Sequence, residues 1–498
     1  MTSKKILAIL IIIIMTAALF TSCDETDEDT QTTTAESSQQ KEDGGVALLP
    51  DLPEYDWSGY NFKLLTFDWG TSSDLAIWNV RDIVAEEETG EPINDAVYRR
   101  NMALEEKYNF TIELIFPTNL MSYATHGTPG LLGMLRAAVA AGDNYFDAIE
   151  FPGNLVAASQ EGLLVNLFGI DYLDLSKPWW DQSAVKELSI GNKLFFTSGD
   201  GVLVNRDAVS VMLFNKQLLA ELGLENPYEL VRNGKWTLDK FSNMARVAAV
   251  DLNGNGQMDL DIDRFGFISS TSSLELINGT GMRIAGKDGN DLPVLTFGSD
   301  RDFSAVFAVD DILHADFTWN IWNETNGLNL DSDPILSRPV SAFTGGRGLF
   351  MQATVRTLES LRGMETDFGI LPMPWLDEKQ GKWYHSVSNL GRAAIAIPNF
   401  HDIDELDRIG FILEAIASES RYTVLPAHHD IQLTGKFTRD DESSEMLDII
   451  FNSMVWDPGI IYGWVSGDAI SSVSAWERNL GKTESAMQAT IDAFAALN

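Results

Sequence analysis

Apolar and polar positions alternate along this chain in short stretches that predict a mixed α/β protein. Asn61 to Phe67, Phe110 to Phe116 and Phe146 to Glu150 are rich in branched and aromatic residues, as buried strands are. Between them, Ile93 to about Tyr108 and Leu131 to Ala141 carry apolar residues at helical spacing. In the first of these, Val97, Met102 and Leu104 are expected to face inward and Arg99, Arg100, Glu105 and Glu106 outward. Such a β-α-β-α-β series argues for a sheet with helices on both faces. Further on, Lys193 to Thr197 and Val209 to Phe214 read as strands flanking a Ser198-Gly199-Asp200-Gly201 turn. Asn215 suits the cap of a helix bearing Leu218, Leu219 and Leu222, and Thr237 caps another bearing Leu238, Phe241, Met244 and Val247. Ser341 to Met351, Phe368 to Leu371 and Ala393 to Pro398 predict strands. Helical patterns then dominate: Ile403 to Ser418, Ser443 to Phe451, Ala469 to Leu480 and Thr483 to Phe494.

The first 22 residues break this pattern. Lys4 and Lys5 precede an unbroken apolar stretch from Ile6 to Met15, and Leu19-Phe20-Thr21-Ser22 leads into Cys23, which reads as a lipoprotein signal peptide (1–22) rather than a fold element. Cys23 is the sole cysteine, which excludes an internal disulfide, a cysteine metal cluster and a cysteine nucleophile. Small residues before it resemble a bacterial lipobox. Cys23 is therefore expected to carry lipid and to hold the protein at the outer, extracellular face of the cytoplasmic membrane. Residues 23–52, rich in Thr, Ser, Gln, Asp and Glu, are expected to be a disordered acidic tether. The formal net charge is -38. Such an acidic surface disfavours nucleic acid as a partner and leaves membrane contact to the anchor.

Between residues 193 and 267 the chain becomes more specific. Phe214-Asn215-Lys216, Asn226-Pro227-Tyr228-Glu229-Leu230-Val231, Gly234-Lys235-Trp236-Thr237 and the loop from Asp251 to Gly266 occur in an order that resembles the extracellular solute-binding lipoproteins of carbohydrate ABC importers. Gly348-Leu349-Phe350 and Asp367-Phe368-Gly369-Ile370-Leu371-Pro372-Met373-Pro374 match the same family. The resemblance implies a two-lobed, type II periplasmic-binding-protein-like α/β fold, each lobe a sheet flanked by helices, with the ligand cleft between lobes. It implies lobe 1 from 53–166 plus 337–400, and lobe 2 with the C-terminal helices from 167–336 plus 401–498. Its functional implication is a monomer that captures a carbohydrate, of oligosaccharide size, and delivers it to ABC permease subunits, with no catalysis.

Three features bear on chemistry. The loop Asp251-Leu252-Asn253-Gly254-Asn255-Gly256-Gln257-Met258-Asp259 carries oxygen side chains at positions one, three, five and nine and glycine at six, a spacing that wraps a hard cation. Ile262 stands where a bidentate glutamate is expected, so Asp261, Asp263 or an acid from elsewhere would have to take its place. The candidate calcium ligands are thus Asp251, Asn253, Asn255, the Gln257 carbonyl, Asp259 and Asp263, with calcium in a structural role. Thirteen tryptophans form the second feature: indole faces stack on sugar rings, though tryptophans equally fill cores. In the resembled family, loops leaving the central strands touch ligand. Here those positions are Asp68, Trp69, Glu150, Asn154, Trp180, Asp200, Arg347 and Trp375, with Trp456 and Trp464 in a late loop. Trp236, beside the Thr237 cap, reads as scaffold. Third, six scattered histidines and the absence of His-x-x-x-His, Gly-x-Ser-x-Gly or a phosphate loop argue against catalysis. A secreted glycoside hydrolase and a surface glycan-adhesion lipoprotein stay open as alternatives, since 73 acidic residues leave room for a catalytic carboxylate pair.

Overall fold

The computed structural model describes residues 48–68, 78–117, 128–142, 145–152, 155–324, 337–388, 392–430 and 441–497. The signal segment, Cys23 and most of the tether lie outside these residues. Two sheets organise the rest. In the first, Tyr60–Leu65 pairs in parallel with Phe110–Ile115 on one side and Ala148–Pro152 on the other. Ala393–Ala396 closes it, antiparallel to Ala148–Pro152, with Ala394 opposite Phe151. The second sheet runs in the order Phe368–Leu371, Ser210–Asn215, Gly348–Thr354, Phe265–Ser269, Thr318–Asn320. Ser210–Asn215 runs antiparallel to both of its neighbours, whereas Phe265–Ser269 runs parallel to both of its own.

Local chemistry sets the element ends. Helix Pro92–Tyr108 begins with proline at its first position and with the Glu91 carboxylate accepting from the Ile93 N–H. It ends at Asn109, which takes up the left-handed conformation at φ 53. Val97, Arg100, Asn101, Leu104 and Tyr108 form its buried stripe, so the helix is rotated relative to expectation and Met102 faces solvent. Arg100 tolerates burial because its guanidinium donates to Asn101, Ser420 and the Ile83 carbonyl. Asn215 caps Lys216–Glu221 by accepting from the Leu218 N–H at 3.0 Å. In helix Leu238–Ala248, Ala245 and Ala248 are inward and Val247 is exposed. That helix lies directly on the second sheet at Gly266, where a Cβ would meet the Ala245 carbonyl oxygen at 1.9 Å. Trp236 is fully buried behind it, its indole donating to the Pro372 carbonyl at 2.9 Å.

Several expected elements differ. Lys193 to Thr197 finds no partner along its length and makes only isolated bridges, Ile190 to Lys193 and Thr197 to Ile395. Ser341 to Met351 divides into helix Ser337–Thr344 and strand Gly348–Thr354, broken at Gly345-Gly346. The two final helical patterns merge into one helix, Val473–Ala496. The lobe boundaries also change, because Gly348–Thr354 and Phe368–Leu371 belong to the second sheet; within 337–400 only Ala393–Ala396 joins the first. Helix Ile403–Tyr422 packs against Pro92–Tyr108, on the first-sheet side, with Phe411 edge-on to Tyr108. No helix among the described residues is long and apolar enough to cross a membrane.

Candidate functional site

The chain crosses between the sheets twice within one small region. The first crossing leaves the bridge of Thr197 to Ile395 and enters the second sheet at Ser210; the second returns from Val387, bridged to Val209, to Ala393. An ion cluster holds this region. Asp207, in the first crossing, accepts from Arg81 at 2.8 Å and pairs with Arg356 at 3.4 Å, while Glu359 takes Arg81 at 2.6 Å and Arg356 at 2.9 Å. Arg81 follows the first sheet's central strand and Arg356 follows Gly348–Thr354, so the cluster joins elements of both lobes. The buried His428 imidazole lies 3.0 Å from Asp207. Burial raises the Asp207 pKa, yet the Arg81 guanidinium and the His428 contact together hold its carboxyl below its ordinary range.

A cavity beside the crossings is lined by Ser272, Glu275 and Asn278, which follow strand Phe265–Ser269, by Ser386, Val387 and Arg392 of the return crossing, and by Trp456 and Asp457 of the late loop. Its volume is about 30 Å³, room for about two waters. The late loop is fixed by short strand Met454–Val455, parallel to His385–Ser386, and by the Trp456 indole donating to Asp181 at 2.8 Å. Asp457 accepts from the N–H groups of Ile284, Ala285 and Gly459 and lies 3.5 Å from Arg283. Glu275 is buried; its carboxyl accepts from Ser210 and, at 3.4 Å, from Gln352, and burial pushes its pKa up. Among the described residues Glu275 Oε1, Asn278 Oδ1 and Ser386 Oγ of this lining are buried without hydrogen-bond partners. The lining thus offers free neutral acceptors and donors, a guanidinium and an indole, the groups that grip a hydroxylated solute.

Of the expected ligand residues, Trp456 lines this cavity. Glu150 and Trp180 are interior. Trp180, with Trp179, donates its indole N–H to Glu414 on helix Ile403–Tyr422, and Asp200 is ion-paired to Arg206 and Arg421. Trp464 donates to Thr490 and stacks on Tyr462 with centroids 5.4 Å apart. Trp375 packs beside Trp383 and over Gly234. Asp68 is exposed; Trp69 and Asn154 lie outside the described residues. Arg347 is a correction. It precedes the start of Gly348–Thr354, at the end of that strand away from the crossings, and donates to the Leu260 carbonyl. Ser272, Glu275, Asn278 and Arg392 were not anticipated, although Ser270 to Ser273 leave a central strand just as the chosen loops do.

Glu150 is fully buried, and among the described residues neither carboxylate oxygen has a hydrogen-bond partner. Burial, and then the neighbouring Asp82, push its pKa well up against the pull of Arg100. A raised folded pKa means that stability is fully present below the ordinary carboxylate range and is lost as pH rises. Glu150→Gln is expected to lessen the fall in denaturation midpoint between pH 5 and pH 8; an unaltered fall would show that Glu150 titrates normally.

In the acidic loop, Asp251 accepts from the N–H groups of Gly254 and Gly256, Asn253 from Asn255, Asn255 from Gln257, and Asp259 from Asp261. Asp263 is buried and braces the loop by accepting from Leu252 and Asp259. Successive side-chain oxygens therefore curl the loop on itself, and Asn253, Asn255 and Asp259 are exposed, residues of the hard-oxygen type calcium takes. Among the described residues no group of three or more His, Cys, Asp or Glu side chains converges as a metal site.

No protein-family model matches the sequence, and no characterised protein matches it at sequence level. Solved structures do match. A cyclo/maltodextrin-binding protein complexed with maltotetraose superposes with a TM-score of 0.50 at 13% identity, over 88% of this chain and 98% of that one. An ABC substrate-binding protein from Listeria monocytogenes in complex with cycloalternan gives 0.49 at 12% identity, over 88% and 98%. The apo form of RafE from Streptococcus pneumoniae gives 0.48 at 14%, over 88% and 97%. The first of these carries the assignment of architecture: the chain has a two-lobed, periplasmic-binding-protein-like α/β fold, each lobe a sheet flanked by helices.

Proposed function

We propose that this chain is a lipid-anchored extracellular solute-binding protein that captures a carbohydrate of oligosaccharide size and hands it to the permease of an ABC importer. The observation that carries the reading is the cavity of hydroxyl, amide, guanidinium and indole groups at the double crossing between two sheets, where such folds place ligands. The likeness in architecture to a protein solved with maltotetraose supports a sugar as occupant. A cavity of about 30 Å³ is far below the ~300 Å³ of a small-molecule pocket, so entry requires the lining to part. The crossings are the hinge for that motion, and the Arg81 to Glu359 ion pair lies beside them. Ligand then favours closure because it gains contacts from both sides. The role is binding without chemistry, by a monomer.

The test is a thermal-shift screen of the purified full chain against mono- and oligosaccharides. A ligand at a hundred times its Kd stabilises by ~2.7 kcal/mol, so a rise in Tm is expected for at least one sugar. No rise for any sugar overturns the carbohydrate reading. Asn278→Ala is expected to weaken the responding sugar about tenfold, one hydrogen bond's worth, without lowering the ligand-free Tm, because Oδ1 has no partner to lose among the described residues.

Calcium in the Asp251 to Asp263 loop is proposed on the same footing, through Asp251, Asn253, Asn255, the Gln257 carbonyl and Asp259, with Asp263 as brace. Chelation is expected to lower the Tm, and added calcium to restore it. An unchanged Tm removes the metal from the account.

A further inference from the structure

The following inference rests on the carbohydrate reading and narrows it. Arg392 stands one residue before strand Ala393–Ala396 and lines the crossing cavity. Its side chain is only partly exposed, and among the described residues its guanidinium has no hydrogen-bond or ion-pair partner. This chain carries 73 acids to 35 Lys and Arg. Other cations around the crossings are matched: Arg81 and Arg356 by Asp207 and Glu359, Arg206 and Arg421 by Asp200, Arg283 by Glu187 and Asp457.

An unmatched guanidinium taken out of water is costly, and burial lowers its pKa to about 10, which leaves it charged at neutral pH. Neither of the two acids that share the lining pairs with it among the described residues. Asp457 is held by Arg283 and three backbone N–H groups, and Glu275 accepts from Ser210 and Gln352 through Oε2 alone, its buried Oε1 making no hydrogen bond to Arg392. A fixed cation in a ligand cavity without its own counterion selects a ligand that brings one.

We propose that Arg392 receives an anionic group on the solute, so that the ligand is an acidic oligosaccharide bearing a carboxylate or a sulfate. The planar guanidinium binds either group through two parallel N–H donors. Asn278 Oδ1 and Ser386 Oγ supply neutral partners for hydroxyls next to that charge.

The test titrates the full chain, and its Arg392→Met variant, with trigalacturonate, a sulfated trisaccharide and maltotriose at low and high salt. At least one acidic sugar is expected to bind tenfold or more tighter than maltotriose, with Arg392→Met abolishing both that preference and its salt dependence. Maltotriose binding as tightly as both acidic sugars, or the tighter acidic sugar held equally well by the variant, overturns the inference and leaves the carbohydrate reading standing. Failure of all three sugars overturns the inference, and the carbohydrate reading falls with it only if no sugar of the thermal-shift screen responds either. The ligand-free variant gives an independent measure. Removing an unmatched cation should leave the Tm equal or higher, and a clear fall would assign Arg392 a structural task and overturn the proposal.

Discussion

Replacing Glu414 by alanine is expected to destabilise the protein by about 3–5 kcal/mol, the scale of leaving several buried hydrogen-bond donors without an acceptor. Glu414 is 1% exposed and its two oxygens divide their work. Oε1 accepts the Trp179 indole N–H at 2.9 Å; Oε2 accepts that of Trp180 at 2.8 Å and the Asp174 backbone N–H at 3.2 Å. Truncation leaves three donors without acceptor, two of them on indoles sealed from water, and opens a void between helix Ile403–Tyr422 and the 179–180 segment. Burial pushes the Glu414 pKa up to about 7 against the pull of the indole donors. Since the folded pKa is the higher one, its contribution is complete below about pH 4.3, declines as pH rises and is gone once pH passes about 7. Denaturant titrations at pH 5 and 8 measure both effects. A loss under about 1 kcal/mol would show that water replaces the carboxylate.

Gly266→Ala is expected to cost at least about 3 kcal/mol, the upper end of overpacking effects. A new Cβ meets the Ala245 carbonyl oxygen at 1.9 Å and its carbon at 2.4 Å. Both are backbone, so no rotamer change relieves the clash; helix Leu238–Ala248 must lift from the sheet. That would pull Phe241 from its edge-on contact with Phe267, centroids 5.0 Å apart. The check is again the denaturation midpoint, and a near-neutral result would mean the helix is free to slide outward.

What the sequence made legible follows from the range of each interaction. Asn215, Thr237 and Pro92 reveal helix starts because a cap acts over three residues. Strand cores such as Phe62 and Leu64 are visible because burial demands apolar side chains locally. Membership of a sheet is another matter. Phe350 belongs with Phe214 and Phe267 through pairings across more than eighty residues, and nothing in Gly348-Leu349-Phe350 itself tells it from a first-sheet strand. The tryptophans taught the same lesson. Trp180 and Trp464 stand beside loop signals, yet their partners, Glu414 and Thr490, come from helices chosen by tertiary packing. Arg392 carries no local mark at all, because its distinguishing property is that no counterion among the described residues meets it, which only the fold decides.

The closing of the first sheet by Ala393–Ala396 has a kinetic consequence. Three of its strands are contiguous in the chain, but the fourth is made only after all five strands of the second sheet. During synthesis, Ala148–Pro152 therefore waits with its outer row of N–H and C=O groups unpaired, while the inserted lobe has every strand it needs. Such an edge is a template for pairing with another chain, and long-range closure is slow. Folding should proceed from the inserted lobe outward, and crowding during refolding should divert molecules at the first sheet rather than the second.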